Sequence, residues 1–266
     1  MDRVIDTAIK AADRATETLM EYFTRLSELQ VELKAKNDYV TEADKKSEMI
    51  IIKTIKGTFP HHTIVAEESG LHGGNEWKWY IDPLDGTKNF IHGLPAFCVS
   101  IGVEFKGELV AAVVKAPALK VTFTAEKGSG AYCNGKRMRV SSRTFEEALI
   151  ATGFPFRGKN YLRDYLKCFE EVFLSVSAVR RCGSAALDLA YTAKGVFDGF
   201  WEMFLNPWDI AAGVLLIEEA GGKVSDFNGG RDFLKSGNII GASLRTYPEL
   251  YRIVHKHLGG YKNGIR

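Results

Sequence analysis

With 266 residues, 45% of them hydrophobic and 26% charged, the chain has the balance of a globular protein able to bury a sizeable core. Its formal net charge of +2 comes from nearly equal numbers of both signs without a basic block, which argues against nucleic acid as a partner. No apolar run approaches the ~18 residues of a membrane span, and the charged start MDRVIDTAIK is unlike a signal peptide, so no membrane association is expected.

Residues 2–26 place Val4, Ile5, Ala8, Ile9, Ala12, Leu19, Met20 and Phe23 at helical spacing, predicting a long amphipathic helix. A short strand, LQVEL, ends in KAKNDY, and a second helix begins near Thr41 and stops before Gly57 and Pro60. HTIVAEE and WKWYID read as buried strands. From Phe97 to Val140 the pattern turns to hairpins, with Asn134-Gly135 a tight-turn signal. After about Ser142 strands and helices alternate. ALIATGF precedes a helix over 160–173, AVRRC a helix from Ser184, and DGFWEM a helix over Pro207 to Ala220. GKVSD, NIIGAS and a helix from about Tyr247 complete the chain. The change of rhythm predicts an N-terminal α+β half, 1–142, and a C-terminal α/β half, 143–266, forming sandwich layers that share a cleft. The four cysteines, Cys98, Cys133, Cys168 and Cys182, have no CxxC spacing and read as reduced thiols of a cytoplasmic protein.

The stretch IDPLDGT, residues 81–87, sets two carboxylates three residues apart where a buried strand is expected to end, at Pro83. Two carboxylates about 4 Å apart repel by roughly 4 kcal/mol at an effective dielectric near 20, a cost that a proton or a cation relieves. The carbonyl of Leu84 is a further hard oxygen, and Gly86-Thr87 is placed to open a short helix. Asp82, Asp85 and this carbonyl therefore suit Mg²⁺ beside a phosphate, while a turn in which both acids merely cap backbone groups fits the same residues. Glu67-Glu68 closes another apolar strand and is aimed at the same sheet edge, although paired glutamates are more often solvated surface. In NPWDIAAG, Asp209 sits in a first helical turn, where an acid also simply complements the helix dipole.

VAEESG, DPLDGTKNFIHG and WDIAAG together, in this order and spacing, resemble the three signature segments of the inositol monophosphatase family of magnesium-dependent phosphatases. The similarity covers nearly the whole chain. It implies a layered α-β-α-β-α sandwich of the inositol monophosphatase/fructose-1,6-bisphosphatase type, a homodimer, Mg²⁺ as cofactor and sensitivity to lithium. By matching position, Glu67, Asp82 and the Leu84 carbonyl would hold one metal, and Asp82, Asp85 and Asp209 a second. Thr87 with Glu67 would orient the attacking water, with Asp44 linked to its activation, although Thr41 and Asp44 also read as a helix capping box. Substrate would meet Asp85, the amides of Gly86 and Thr87, Gly183, Ser184 and Ala185 at a helix start, Glu202 and Asp209. Glu68 is a weaker match, behind the metal site, and His92 a structural one. Lys34 and Lys36 compete for a family lysine. Asn206 stands where some relatives have His, and Asp188 reads as an ordinary polar helix position.

The activity these residues imply is hydrolysis of a polyol or sugar phosphate, inositol 1-phosphate first and fructose 1,6-bisphosphate as the alternative, with Arg180-Arg181 available to a second phosphate. An aspartyl-phosphate mechanism of the haloacid-dehalogenase type wants its second Asp two residues on, whereas Asp85 lies three after Asp82. A non-catalytic interaction protein on the same fold is a further alternative.

Overall fold

The computed structural model describes residues 2–35, 38–156 and 158–261. Helix α1 (Asp2–Phe23) stops three residues before the expected 26, because Leu26 and Leu29 turn back onto the core beside Phe23 through a short 3-10 turn, Leu26–Glu28. The hairpin β1 (Val31–Ala35) and β2 (Asp38–Thr41) leads into α2 (Glu42–Thr58). Strand β3 (Thr63–Ala66) ends before Glu67, and the short β4 (Gly70–His72), which the sequence reading missed, folds back on it.

Strand β5 (Trp77–Asp85) does not end at Pro83. It pairs with β6 (Cys98–Phe105) at Asp82↔Ser100 and again at Asp85↔Cys98, so one extra residue is bulged out between them. Proline lacks the N–H that a regular ladder needs, and a bulge removes that need while bending the strand. The short helix α3 (Thr87–Ile91) follows. The meander continues through β7 (Glu108–Ala116), β8 (Val121–Glu126), β9 (Gly130–Cys133) and β10 (Lys136–Arg137). Asn134 and Gly135 both take positive φ, 48° and 74°, as the tight turn requires.

The second part contains β11 (Leu149–Thr152), α4 (Leu162–Ser175), β12 (Ala178–Arg180), α5 (Ala185–Ala193) and β13 (Gly199–Glu202). Next come α6 (Pro207–Glu219), β14 (Lys223–Ser225), an unanticipated one-turn α7 (Phe233–Ser236), β15 (Ile239–Ala242) and α8 (Tyr247–Leu258). Among the described residues these strands form an eight-stranded sheet, order β10-β9-β8-β7-β6-β5-β3-β4, a five-stranded sheet, order β12-β11-β13-β15-β14, and the β1-β2 hairpin.

Three apolar clusters turn the sheets into layers. Val99, Ile101 and Val103 of β6 point to α1 and α2, where they meet Ala8, Ala12 and Ile51. The opposite face of the large sheet meets α5 and α6, which are apolar nearly all round because they lie between the two sheets. Trp201, Ile150 and Ile240 on the outer face of the small sheet pack on α4 and α8. The order is thus α-β-α-β-α, as the resemblance implied.

Small residues set the spacing of the central layer. A Cβ added to Gly102 of β6 would lie 2.7 Å from the Cβ of Ala211 and 2.8 Å from the nitrogen of Ala212, both in α6. Neither neighbour has a rotamer to yield. Gly102→Ala is therefore expected to lower stability by roughly 1–3 kcal/mol through overpacking. Urea unfolding checks this, and an unchanged midpoint would show that α6 moves away at no cost.

Candidate active site

A cleft of about 510 Å³ opens where the large sheet, α3, α5 and the loop after β13 meet. It is lined by Glu67, Asp82, Leu84, Asp85, Gly86, Thr87, Gly183, Ser184, Ala185, Glu202 and Asp209, so one surface gathers residues that span more than half the chain. Asp44 lies behind this wall. Glu68 and Arg180 are not among the lining residues, and His92 caps the C-terminus of α3 at the surface. Of the two competing lysines, Lys36 and the side chain of Lys34 lie outside the described residues.

Each acid is fixed by a local backbone device. Parallel pairing of β3 with β5 sets Ala66 opposite Ile81, and the Glu67 N–H donates to the Ile81 carbonyl at 3.3 Å, which brings Glu67 beside Asp82. Asp82 accepts the N–H of Leu84 at 2.9 Å across the bulge. Asp85 accepts the Ser184 hydroxyl and the Ala186 N–H, both at 2.7 Å, at the start of α5. Asp209 accepts the Asn206 N–H at 2.7 Å, closing a capping box on α6. Gly86 takes φ 95°, and a Cβ there would meet the Ala96 carbonyl at 2.9 Å, so only glycine can turn β5 into α3.

Asp44 forms the expected capping box and also reaches Thr87. Its Oδ2 accepts the Thr41 N–H at 2.8 Å and the Thr41 hydroxyl at 2.6 Å, completing the capping box of α2. Oδ1 is thereby aimed at the Thr87 hydroxyl, 3.1 Å away. That hydroxyl is also 3.1 Å from the Leu84 carbonyl, so its proton is engaged on the protein side and its lone pairs are left for a donor in the cleft.

The electrostatics follow from crowding. Burial, then the charges of Glu67, Asp85 and Asp209, hold the Asp82 carboxyl well above the usual carboxylate range. Burial also raises Asp85, against the opposing pull of Ser184 and the amides of Ala185, Ala186 and Leu187. Among the described residues no three such side chains already converge on one ion-sized point, so the acids form an open cluster. Their mutual repulsion and their all-oxygen chemistry, with the Leu84 carbonyl among them, fit a hard divalent cation such as Mg²⁺. Cys98 lies 3.8 Å from Asp85, and burial raises its thiol well above the ordinary value.

Opposite the acids, Glu202 is pushed well up by burial, with Arg181 opposing and Asp188 adding to the shift. Gly153 backs it so closely that a Cβ there would sit 2.0 Å from the carboxylate carbon of Glu202. Several lining residues escaped the sequence reading, among them Tyr39, Lys88, Gly153, Phe156 and Phe204. Lys88 and Arg181 both stack on the ring of Phe156, at 4.8 and 5.3 Å. Phe204 has φ 64°, rare for a bulky side chain, and a Cβ on Gly158 would lie 2.1 Å from its ring. Only the glycines and prolines around these positions were a visible signal.

The profile of the inositol monophosphatase family matches residues 1–258. The Nus factor SuhB of Pseudomonas aeruginosa is 43% identical over 265 residues, 97% of this chain and 98% of that protein. The solved inositol monophosphatase of Anabaena superposes with a TM-score of 0.86 at 37% identity, covering 98% of this chain and 99% of its own. A solved protein described as an inositol monophosphatase–fructose 1,6 bisphosphatase gives 0.81 at 28% identity, covering 95% of this chain and 98% of its own.

Burial lifts the Asp188 carboxyl to about 8. A folded state that holds a proton more tightly than the unfolded chain keeps its full stability below the ordinary carboxylate pKa near 3.9 and loses it as pH rises through about 8. Between pH 5 and 9, with metal chelated, the wild type should lose at least about 1.4 kcal/mol more than Asp188→Asn, which cannot ionise. Parallel pH slopes in urea titrations of the two proteins would refute the assignment.

Proposed function

The chain belongs to the inositol monophosphatase family, and we propose that it hydrolyses polyol phosphate monoesters, inositol 1-phosphate first among them. The observation that carries this reading is the cluster of Glu67, Asp82, Asp85 and Asp209 facing Glu202 across one cleft. Water attacks phosphorus as the ester P–O bond breaks, and the products are inorganic phosphate and the free alcohol. No side chain is phosphorylated. Glu67, Asp82, Asp85, Asp209 and the Leu84 carbonyl would hold Mg²⁺, which when bound would lower the pKa of water and neutralise the leaving alkoxide.

The protein groups supply position. The Thr87 hydroxyl, donating its hydrogen bond to Asp44 or the Leu84 carbonyl, accepts a hydrogen bond from the attacking water, and Glu67 flanks it. Gly86 and Thr87 turn their amides to the phosphate at the entrance to α3. Glu202 accepts from ring hydroxyls, with Gly153 keeping it from retreating. Ser184 acts through Asp85, which it orients.

Two further readings have support. Arg181 lines the cleft, and similarity to a protein described as acting on both substrates favours fructose 1,6-bisphosphate as a second substrate. The name Nus factor, borne by the relative at 43% identity, favours a role as a factor that binds another macromolecule, with or without hydrolysis. Phosphate release from a panel of inositol and sugar phosphates with Mg²⁺ ranks the substrates.

Asp82→Asn removes the carboxylate that both proposed metal positions share. Activity should fall by at least about 100-fold in kcat while the protein stays folded, since one like charge is gone from the cluster. Near-normal turnover would eliminate the metal assignment. A biological role that survives in the folded, inactive variant would favour the binding factor over the hydrolase.

Glu202→Gln should reduce kcat/KM for inositol 1-phosphate by about 10-fold relative to 4-nitrophenyl phosphate, whose leaving group has no ring hydroxyls. The scale is that of about one lost charge-assisted hydrogen bond, roughly 1.5–3 kcal/mol. Equal losses on the two esters would place Glu202 away from substrate hydroxyls.

A further inference from the structure

Asp188 has no role in the chemistry described so far, yet it is the most conspicuous polar residue of the cleft wall. It occupies the first turn of α5 and is 2% exposed, although it lines the same cavity as Asp85 and Glu202. Among the described residues its Oδ1 has no hydrogen-bond partner. A buried carboxyl oxygen left unpaired is costly, and such groups persist where something else completes them. The backbone at this position is ordinary helix, its N–H donating to the Ser184 carbonyl at 3.0 Å and its carbonyl accepting the Thr192 hydroxyl at 2.9 Å. Neither bond needs a carboxyl side chain.

We propose that Asp188 is a specificity residue of the cleft, pairing with Glu202 to hold a ring hydroxyl of the substrate. The proposal rests on the polyol-phosphate reading above and adds a residue to it.

Two features define what the pair accepts. The charge of Asp188 adds to the upward shift of Glu202, and the two carboxyls line the same cleft. Burial raises both carboxyls, so the pair retains a proton and offers a donor beside its acceptors. A group that both donates and accepts satisfies the two together, and a hydroxyl is the simplest such group. A second phosphate would meet two acids there and suits Arg181 instead, which stacks on Phe156. With so little surface exposed, Asp188 is reached only by a ligand lying against the wall. A ring attached to a phosphate at the carboxylate cluster would extend along this wall, since both line one cleft.

The experiment compares inositol 1-phosphate with cyclohexyl phosphate, the same ring without hydroxyls. For wild type, Asp188→Asn and Asp188→Leu, kcat/KM is measured with Mg²⁺, and binding of both esters is measured by calorimetry on calcium-loaded protein. Asparagine keeps a donor and an acceptor and should hold the ratio of the two esters within about twofold. Leucine fills the volume without either, and the preference for inositol 1-phosphate should fall by roughly fivefold or more, as for one lost hydrogen bond to a buried partner. The loss should appear in binding as well as turnover. Equal losses on both esters in the leucine variant would overturn the proposal and leave Asp188 a packing residue. Wild type that binds the two esters equally would overturn it too. If wild type releases no phosphate but the binding ratio responds as expected, the hydrolase reading falls and the role of Asp188 stands.

Discussion

Repulsion among the carboxylates of Glu67, Asp82, Asp85 and Asp209 is the constraint around which this protein is organised. A pair of unit charges about 4 Å apart costs roughly 4 kcal/mol at an effective dielectric near 20, and several such pairs rival the net stability of a whole domain. The fold opposes the repulsion by holding each acid through backbone donors. Asp209 caps α6, Asp85 receives the first amides of α5, and Asp82 closes on the Leu84 N–H. Two of these anchors are helix N-termini, whose partial positive charge favours an anion over the same contacts elsewhere. Even so, the Asp82 and Asp85 carboxyls stay raised, so the anchors offset only part of the cost. The remainder is negative potential directed into the cleft, which a divalent cation would relieve.

Those anchors work only if several helix ends reach one point, and small residues in the central layer make this possible. Gly102 lets α6 touch the large sheet at Ala211, and Gly213 of α6 admits Leu189 of α5, where a Cβ would come within 2.4 Å of it. With α5 and α6 locked to each other and to β6, Ser184 and Asp209 have fixed positions relative to Asp82 and Asp85. Asp44 shows the same economy on the other face of the sheet. One oxygen starts a helix and the other holds Thr87, so a side chain that builds the scaffold also orients the hydroxyl beside the cluster. A glutamate in α2, Glu48, plays the corresponding part for the turn after β3, accepting the Glu68 N–H at 2.8 Å.

Chain distance explains which of these features could be seen in the sequence. The carboxylates of DPLDGT, the capping box at Thr41 and the tight turn at Asn134-Gly135 are determined within a few residues, and their chemistry is visible in the letters. The bulge at Pro83 was half visible. Proline announced a break in the ladder, but whether the strand ended or bulged depended on β6, which resumes pairing at Cys98. The short β4 and α7 carry too few residues for a periodic signal. Gly153 behind Glu202, Glu48 beneath Glu68 and the stacking of Lys88 and Arg181 on Phe156 join segments that are distant in the chain. Nothing local in the sequence could have paired them. Asp188 was misjudged for a related reason: its spacing is that of any helix residue, and only the packing of α5 shows it buried with an oxygen unpaired.

The cleft thus has two walls built by different rules. On one side the acids are interlocked by the sheet register and the helix caps, so that moving any one of them disturbs a strand pairing or a helix start. On the other, Glu202 ends the short strand β13, Asp188 projects from α5, and Arg181 and Phe156 come from connecting segments. Substitutions on this second wall leave the caps and the β5–β6 register intact. Hydroxyl recognition is therefore free to vary while the carboxylate cluster stays constant. That separation lets one fold keep its acids while what they hold changes, since function lives in the site and not in the fold. Under the proposed function, Arg181, Asp188 and Glu202, outside the proposed metal-ligand set, would then carry the information about substrate.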